Sequence, residues 1–198
     1  MKEYTNKIHC VIYGMDTGIL KKILSSDILP HLDTDTKHAA VLIVIYGAEL
    51  KIIMTQKPLT MQQHAGEISF PGGKIDTDDQ DLLETALRET QEEIGLQVLR
   101  DSVIGQLRPV QTRNSGFTII PFVAILDDIQ TLRPNSEVDE ILHIPMLELL
   151  RTLEDDDNPE HRSLFEAYKL TYCDKMIWGA SARMLKQIAD VFRQHQLL

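Results

Sequence analysis

The sequence predicts an α/β domain, and three observations predict it. Ala39–Tyr46 and Phe117–Leu126 are continuous apolar runs rich in β-branched residues, the pattern of buried strands. Between them, Leu83, Ala86, Leu87, Thr90 and Ile94 recur at spacings of three and four, which puts them on one face of an amphipathic helix. Near the C-terminus, Ile177, Ala180, Met184, Ile188 and Val191 repeat the helical period. A chain of 198 residues is long enough for one domain with a sizeable core.

Taken in order, residues 1–37 read as an N-terminal helical extension and residues 38–198 as the domain. Ile19, Leu20, Ile23, Leu24 and Ile28 predict a helix from about Asp16 to Leu29, ended near Pro30 and packing on the core or on a second subunit. After the first strand, Gly47-Ala48 turns the chain and Leu50 to Thr55 forms the next strand. A Gln- and Met-rich loop follows and ends in His64-Ala65-Gly66. Val98 to Leu107 carries a strand signal with Gly105 inside it. Pro121, which lacks a backbone donor, suggests that its strand lies at a sheet edge or a bulge.

Glu137-Val138 opens a strand running to Ile144-Pro145, and Pro145 to Leu153 is a short helix with Pro at its start. Glu154 to Pro159 reads as a solvated acidic connector, Phe165 to Tyr172 as a strand, and Ile177 to Arg193 as the last helix, with Trp178 a core anchor.

The chemistry concentrates in Phe70 to Leu96. Thr77 with Gln80 fits a capping box, Asp78 and Asp79 suit the positive end of the helix dipole, and Gly95 can take the left-handed C-cap conformation. Pro71-Gly72-Gly73 is a sharp turn that lets the backbone approach a ligand closely. Glu89, Glu92 and Glu93 lie at i, i+3 and i+4, so three carboxylates share one helix face. Like charges that close repel, which calls for a cation among them. Hard oxygen donors with no Cys or His nearby suit Mg²⁺ or Mn²⁺ rather than zinc. Arg88 is one turn from both Glu84 and Glu92, and its fork can hold a carboxylate in place.

Composition sets bounds. The chain is 43% hydrophobic and 25% charged, ordinary for a globular protein. Its net charge of −10 argues against general nucleic-acid binding, which needs a basic face. No apolar run has the length of a membrane span, and MKEYTNKIHC lacks a signal-peptide core, so a cytoplasmic location is expected. Cys10 and Cys173 form no CxxC and read as reduced structural thiols.

Gly73 followed by Arg88-Glu89-Thr90-Gln91-Glu92-Glu93-Ile94-Gly95-Leu96 resembles the signature of the Nudix hydrolases. Fifteen positions separate Gly73 from Arg88, one more than the general pattern, so the signature's first Glu falls on Asp79 or on Gln80. Thr90 stands where an aliphatic residue is usual. The long spacing is similar to that of the coenzyme A pyrophosphatase branch. Upstream, Thr55, Gly66 and Phe70-Pro71-Gly72-Gly73 agree with that branch, whereas Lys57 and Gln62 replace two arginines and Pro58 replaces a Ser. Gly116-Phe117, Pro121, Glu137-Val138 and Ile177 to Arg183 also resemble it.

The resemblance implies a Nudix-type α/β/α sandwich with a mixed sheet. It also implies hydrolysis of a P–O–P bond in a small nucleoside-diphosphate-linked substrate, with coenzyme A or acyl-coenzyme A foremost. Glu89, Glu92 and Glu93, with the Gly73 carbonyl, would bind the metal, which bridges diphosphate oxygens and polarises water. A signature glutamate, Glu92 or Glu93, or else Glu137, would serve as base, and Arg88 would orient the glutamates. Glu137 is otherwise an exposed loop-end residue. Lys57, Lys74 and Arg113 are candidates for phosphate contacts. His64 reads as ligand, base or loop hydrogen-bonding group, and the resemblance keeps a substrate-side role open for it. Lys57 and Gln62 keep open a second substrate class: ADP-ribose, dinucleotides or damaged nucleotides. A non-catalytic nucleotide sensor is the alternative outside enzymes. A homodimer is expected by analogy only.

Overall fold

The computed structural model describes residues 17–29, 37–61, 64–112, 115–159, 161 and 167–198. Helix α1 spans Thr17–Leu24, followed by strands β1 (Lys37–Tyr46), β2 (Lys51–Gln56), β3 (Ile68–Ser69) and β4 (Gly72–Lys74). Helix α2 (Leu82–Ile94) comes next, then β5 (Val103–Gln106), β6 (Val110–Gln111), β7 (Phe117–Leu126), β8 (Glu140–Pro145) and helix α3 (Met146–Arg151). Strands β9 (Glu154–Asp155), β10 (Tyr168–Tyr172) and β11 (Lys175–Trp178) precede helix α4 (Gly179–Gln194).

The sheet is mixed. β1 and β7 run parallel in a ten-residue ladder from Lys37↔Phe117 to Tyr46↔Leu126, and the described order is β3-β2-β1-β7-β5. β4 pairs antiparallel with β1, β6 with β7 and β8 with β2. Because side chains alternate across a strand, each long strand feeds two cores. Ala40, Leu42, Val44, Ile120, Phe122 and Ala124 pack with Leu82, Leu83, Ala86 and Ile94 of α2. Val41, Ile43, Ile45, Val123 and Ile125 share the opposite core with Leu20 and Leu24 of α1 and with Leu185, Ile188 and Phe192 of α4. Helices thus cover both faces, as the expected α/β/α sandwich requires.

The element ends depart from the sequence reading for identifiable reasons. α1 stops at Leu24 rather than Leu29 because Ser25 and Ser26 turn to β5: their hydroxyls donate to the carbonyls of Ile104 (3.2 Å) and Gln106 (2.6 Å). The N-cap of α2 is Asp81, not Thr77. Asp81 is extended, and its carboxylate accepts from the Glu84 N–H at 2.8 Å, while the Thr77 hydroxyl is spent on Asp76. Gly95 does cap the C-terminus, at φ 71°, donating to the Gln91 carbonyl.

The strand expected from Val98 begins only at Val103, after a 3₁₀ turn at Arg100–Ser102. Pro121 is not on an edge strand. It lies in β7 opposite the break between β5 and β6, where its carbonyl accepts from Leu107 N–H at 2.8 Å and no ladder donor is required of its nitrogen. Ile177 and Trp178 belong to β11, and α4 starts at Gly179. The acidic connector is only partly solvated. Asp156 is buried, its carboxylate 2.8 Å from His161 Nδ1, and that ring stacks on Trp178 with centroids 4.1 Å apart. Asp16, Pro30, Gln62, Arg113, Asn114 and Phe165 lie outside the described residues, as does Cys10.

Candidate active site

The site forms where β4 crosses the face of α2. β4 pairs with β1 at Ala40↔Gly73 and Val41↔Gly72, and β1 also packs on α2, so the glycine turn is pressed against the helix. Glycine is required there sterically. A Cβ on Gly73 would lie 2.4 Å from Glu89 Oε1, and one on Gly72, whose φ is +152°, would lie 2.2 Å from the Ala40 carbonyl oxygen. The Gly72 N–H donates to Glu93 Oε2 at 3.3 Å.

Arg88 organises the carboxylates. Its Nε and Nη2 donate to the two oxygens of Asp79, each at 2.9 Å, and its Nη1 donates to Glu89 (3.1 Å) and Glu92 (3.0 Å). Nη2 also reaches the Lys74 carbonyl at 3.4 Å. Asp79, not Gln80, is therefore the acidic partner that the signature spacing left open. It further accepts from Asp76 N–H and the Thr85 hydroxyl, and the Arg88 guanidinium holds its carboxyl well below the usual carboxylate range. Glu84 is not gripped by Arg88. It accepts from the Gln80 N–H instead. Thr90 fits an aliphatic position because its hydroxyl is satisfied within the helix by the Ala86 carbonyl at 2.7 Å.

The glutamates sit in different environments. Glu93 is 5% exposed, and burial pushes its carboxyl up to about 7; Lys57 and the Gly72 N–H oppose this, while Glu89 and Glu137 add to it. Burial also raises Glu89, against the pull of Arg88, with Glu92 and Glu137 adding to the rise. Glu92 projects outward on its ion pair with Arg88.

Glu137 is exposed in the turn before β8, and its charge is near enough to add to the rise of Glu89 and Glu93 although it follows α2 by more than forty residues. The segment before it straps the C-terminus of α2: Gln130 Nε2 donates to the Gly95 carbonyl, Arg133 N–H to that of Ile94, and Asn135 N–H to that of Glu93. Asn135 Oδ1 then accepts from Glu137 N–H at 2.8 Å. The sequence reading missed this strap, whose one legible signal was that the last carbonyls of α2 needed donors.

Of the expected phosphate contacts, Lys57 lies near enough to Glu93 for its charge to oppose the rise of that carboxyl. The Lys74 ammonium lies 5.2 Å from the centroid of the Phe117 ring. His64 pairs with Glu67. Its Nδ1 is 2.7 Å from Glu67 Oε2, a hydrogen bond within the loop. Arg113 is outside the described residues. Among the described residues, no three carboxylate, His or Cys side chains are grouped closely enough as they stand to hold a metal ion.

The NUDIX domain family matches residues 36–168. This chain belongs to the Nudix family. Relatives agree with the hydrolase class and with the coenzyme A branch. The Nudix chain is 45% identical over 120 residues to the mitochondrial coenzyme A diphosphatase NUDT8 of Mus musculus, a match covering 58% of this chain and 57% of the mouse protein. It is 35% identical to the uncharacterized Nudix hydrolase NudL of Yersinia enterocolitica, over 79% of this chain and 82% of that one.

The MutT/nudix family protein from Enterococcus faecalis shares the Nudix fold at TM-score 0.55 and 13% identity, covering 98% of this chain and 74% of that one. The Nudix hydrolase RenU from M. Smegmatis does so at TM-score 0.52 and 14% identity, over 80% of this chain and 86% of that one. No helix among the described residues is long and apolar enough to cross a membrane.

Proposed function

We propose that this Nudix protein hydrolyses the phosphoanhydride bond of coenzyme A or acyl-coenzyme A, giving 3′,5′-ADP and (acyl-)4′-phosphopantetheine. The observation that carries the reaction class is the packing of Gly72 and Gly73 on Glu93 and Glu89, with Arg88 clamped to Asp79 behind them. What supports the substrate is the mouse relative, named a coenzyme A diphosphatase, together with Thr55, Gly66 and Phe70–Gly73 in the branch pattern.

The donor chemistry suits a hard divalent cation. Glu89 and Glu93 are oxygen donors whose charged forms are penalised by burial and by neighbouring carboxylates, a cost that a divalent cation relieves. We read Glu89, Glu92 and Glu93, with the Gly73 carbonyl, as the holders of Mg²⁺ or Mn²⁺. When bound, the ion supplies charge neutralisation at the diphosphate and makes a nearby water more acidic.

The chain's own groups do the rest. Arg88 fixes Glu89 and Glu92 without touching substrate. Glu93 or Glu137 takes the proton from the attacking water. Lys57 faces the phosphates; Lys74 and Arg113 are weaker contacts, and a substrate role for His64 would require it to leave Glu67. We read residues 1–37 as an extension of the single domain 38–198 and the cytoplasm as the compartment, tested by fractionation. A homodimer is tested by light scattering. Neither nucleic acid nor membrane is expected as a partner.

Incubation of the pure protein with coenzyme A and Mn²⁺ should yield 3′,5′-ADP by chromatography, and its absence removes this substrate. Lys57 favours a second reading, because an ammonium cannot grip a phosphate through two bonds as the branch's arginine would. A higher kcat/KM for ADP-ribose than for coenzyme A would select that reading. Nucleotide binding without turnover on any substrate, with any divalent metal, would select a sensor.

A further inference from the structure

The molecule has a cavity of about 450 Å³ on the sheet face that α4 covers, away from α2 and its glutamates. Arg108, Gln111, Arg183, Lys186, Gln187 and Asp190 supply its polar wall. Three cations face one carboxylate there, in a chain whose net charge is −10. Lys186 is neutralised by Asp190, at 2.6 and 2.8 Å. Neither arginine has a carboxylate partner among the described residues.

Arg183 donates through Nη2 to the Gln111 carbonyl, and its Nε is the one buried side-chain nitrogen or oxygen without a hydrogen-bond partner among the described residues. No carboxylate of the described residues lies within ion-pair distance of either guanidinium. Burial lowers the Arg183 pKa, the sign of a cation whose lost hydration is not repaid by an anion. Arg108 is fixed at its backbone, where Gln187 accepts from its N–H at 2.9 Å and donates to its carbonyl at 3.1 Å, and this exposed residue lines the cavity.

We propose that this cavity is an anion site, and that Arg108 and Arg183 together bind the phosphomonoester group of a small ligand of nucleotide size. The Arg108 guanidinium is a planar fork that matches phosphate oxygens two at a time, which a single exposed lysine cannot do, and Arg183 adds a positive charge to the wall. The volume exceeds what a bare phosphate fills and lies in the range of small-molecule pockets. The site shares no residue with the glutamate centre.

Binding of AMP and of inorganic phosphate is measured by calorimetry in EDTA, so that no metal draws either anion to the glutamates. AMP should bind the wild type at least tenfold more tightly than Arg108→Ala or Arg183→Met, and affinity should fall as salt rises. Glu92→Gln should bind AMP as the wild type does, which separates this site from the catalytic reading. Phosphate binding as tightly as AMP, with the same loss in both variants, assigns the site to free phosphate and keeps the anion assignment. Equal AMP affinity in wild type and Arg108→Ala, an exposed position that does not hold the fold, overturns it, as does the absence of heat with either anion at millimolar concentration.

Discussion

Arg88 holds Asp79 through two parallel hydrogen bonds of 2.9 Å, and the Asp79 side chain is only 2% exposed. The pair spans nine positions of sequence and joins the loop before α2 to its middle. The same guanidinium then touches Glu89 and Glu92, so the loop, the helix and two of the candidate metal-binding carboxylates move as one unit.

Asp79→Asn should cost about 2 kcal/mol of stability at pH 7, since it strips a largely buried cation of its best partner. The folded-state pKa of Asp79 is depressed, so its stabilisation is present above the unfolded value near 4 and is lost as pH falls below it. Wild-type Tm should therefore drop on acidification below about pH 4 more steeply than that of the variant. Parallel acid melts of the two proteins would contradict the role given to this pair.

Glu93 predicts the opposite pH dependence. Its folded pKa is raised to about 7, so stability is full below the unfolded carboxyl value and declines as pH rises through 7. In EDTA the wild type should lose on the order of 1–3 kcal/mol between pH 5 and 8 on this account. Glu93→Gln should lack that decline and melt above wild type at pH 8 while losing turnover. A lower Tm for the variant at pH 8 would refute the assignment of burial as the cause.

Glu92→Gln should lower kcat at least about a hundredfold at saturating Mg²⁺, because a lost carboxylate charge is felt in the transition state. Its side chain is 55% exposed, so Tm should stay within a few degrees of wild type. Near-native turnover would remove Glu92 from the metal set.

Gly73→Ala and Gly72→Ala should separate activity from folding. The Gly73 Cβ meets the end of a side chain, Glu89, so the expected loss is in kcat, about tenfold or more, with a modest drop in Tm. The Gly72 Cβ meets backbone at 2.2 Å with φ at +152°, so that variant should unfold or melt far lower. Equal thermal damage in both would show that the turn, not its contact with Glu89, is what glycine serves.

Much of this protein was readable from local pattern. The spacing of Leu83, Ala86, Leu87, Thr90 and Ile94 fixed α2 and, with it, the phase of Glu89, Glu92 and Glu93, because 3.6 residues per turn leaves no freedom in which side chains share a face. The run from Phe117 to Leu126 fixed β7 residue for residue. Gly95 announced the helix end because few other residues tolerate φ near +70°.

Choices among partners of similar chemistry were beyond the sequence. Glu84 and Glu92 were each one turn from Arg88, and only the fold of the 74–81 loop brings Asp79 against it and turns Glu84 to Gln80. Thr77 was the expected cap, and the point where the loop enters the helix gave that role to Asp81 instead. Glu137 comes within electrostatic range of Glu89 and Glu93 because a strap of backbone hydrogen bonds carries the chain back across more than forty residues, while burial is the main cause of the raised Glu93. Helical phase is a property of neighbours along the chain, whereas pairing and desolvation depend on which distant segments exclude water from the same spot.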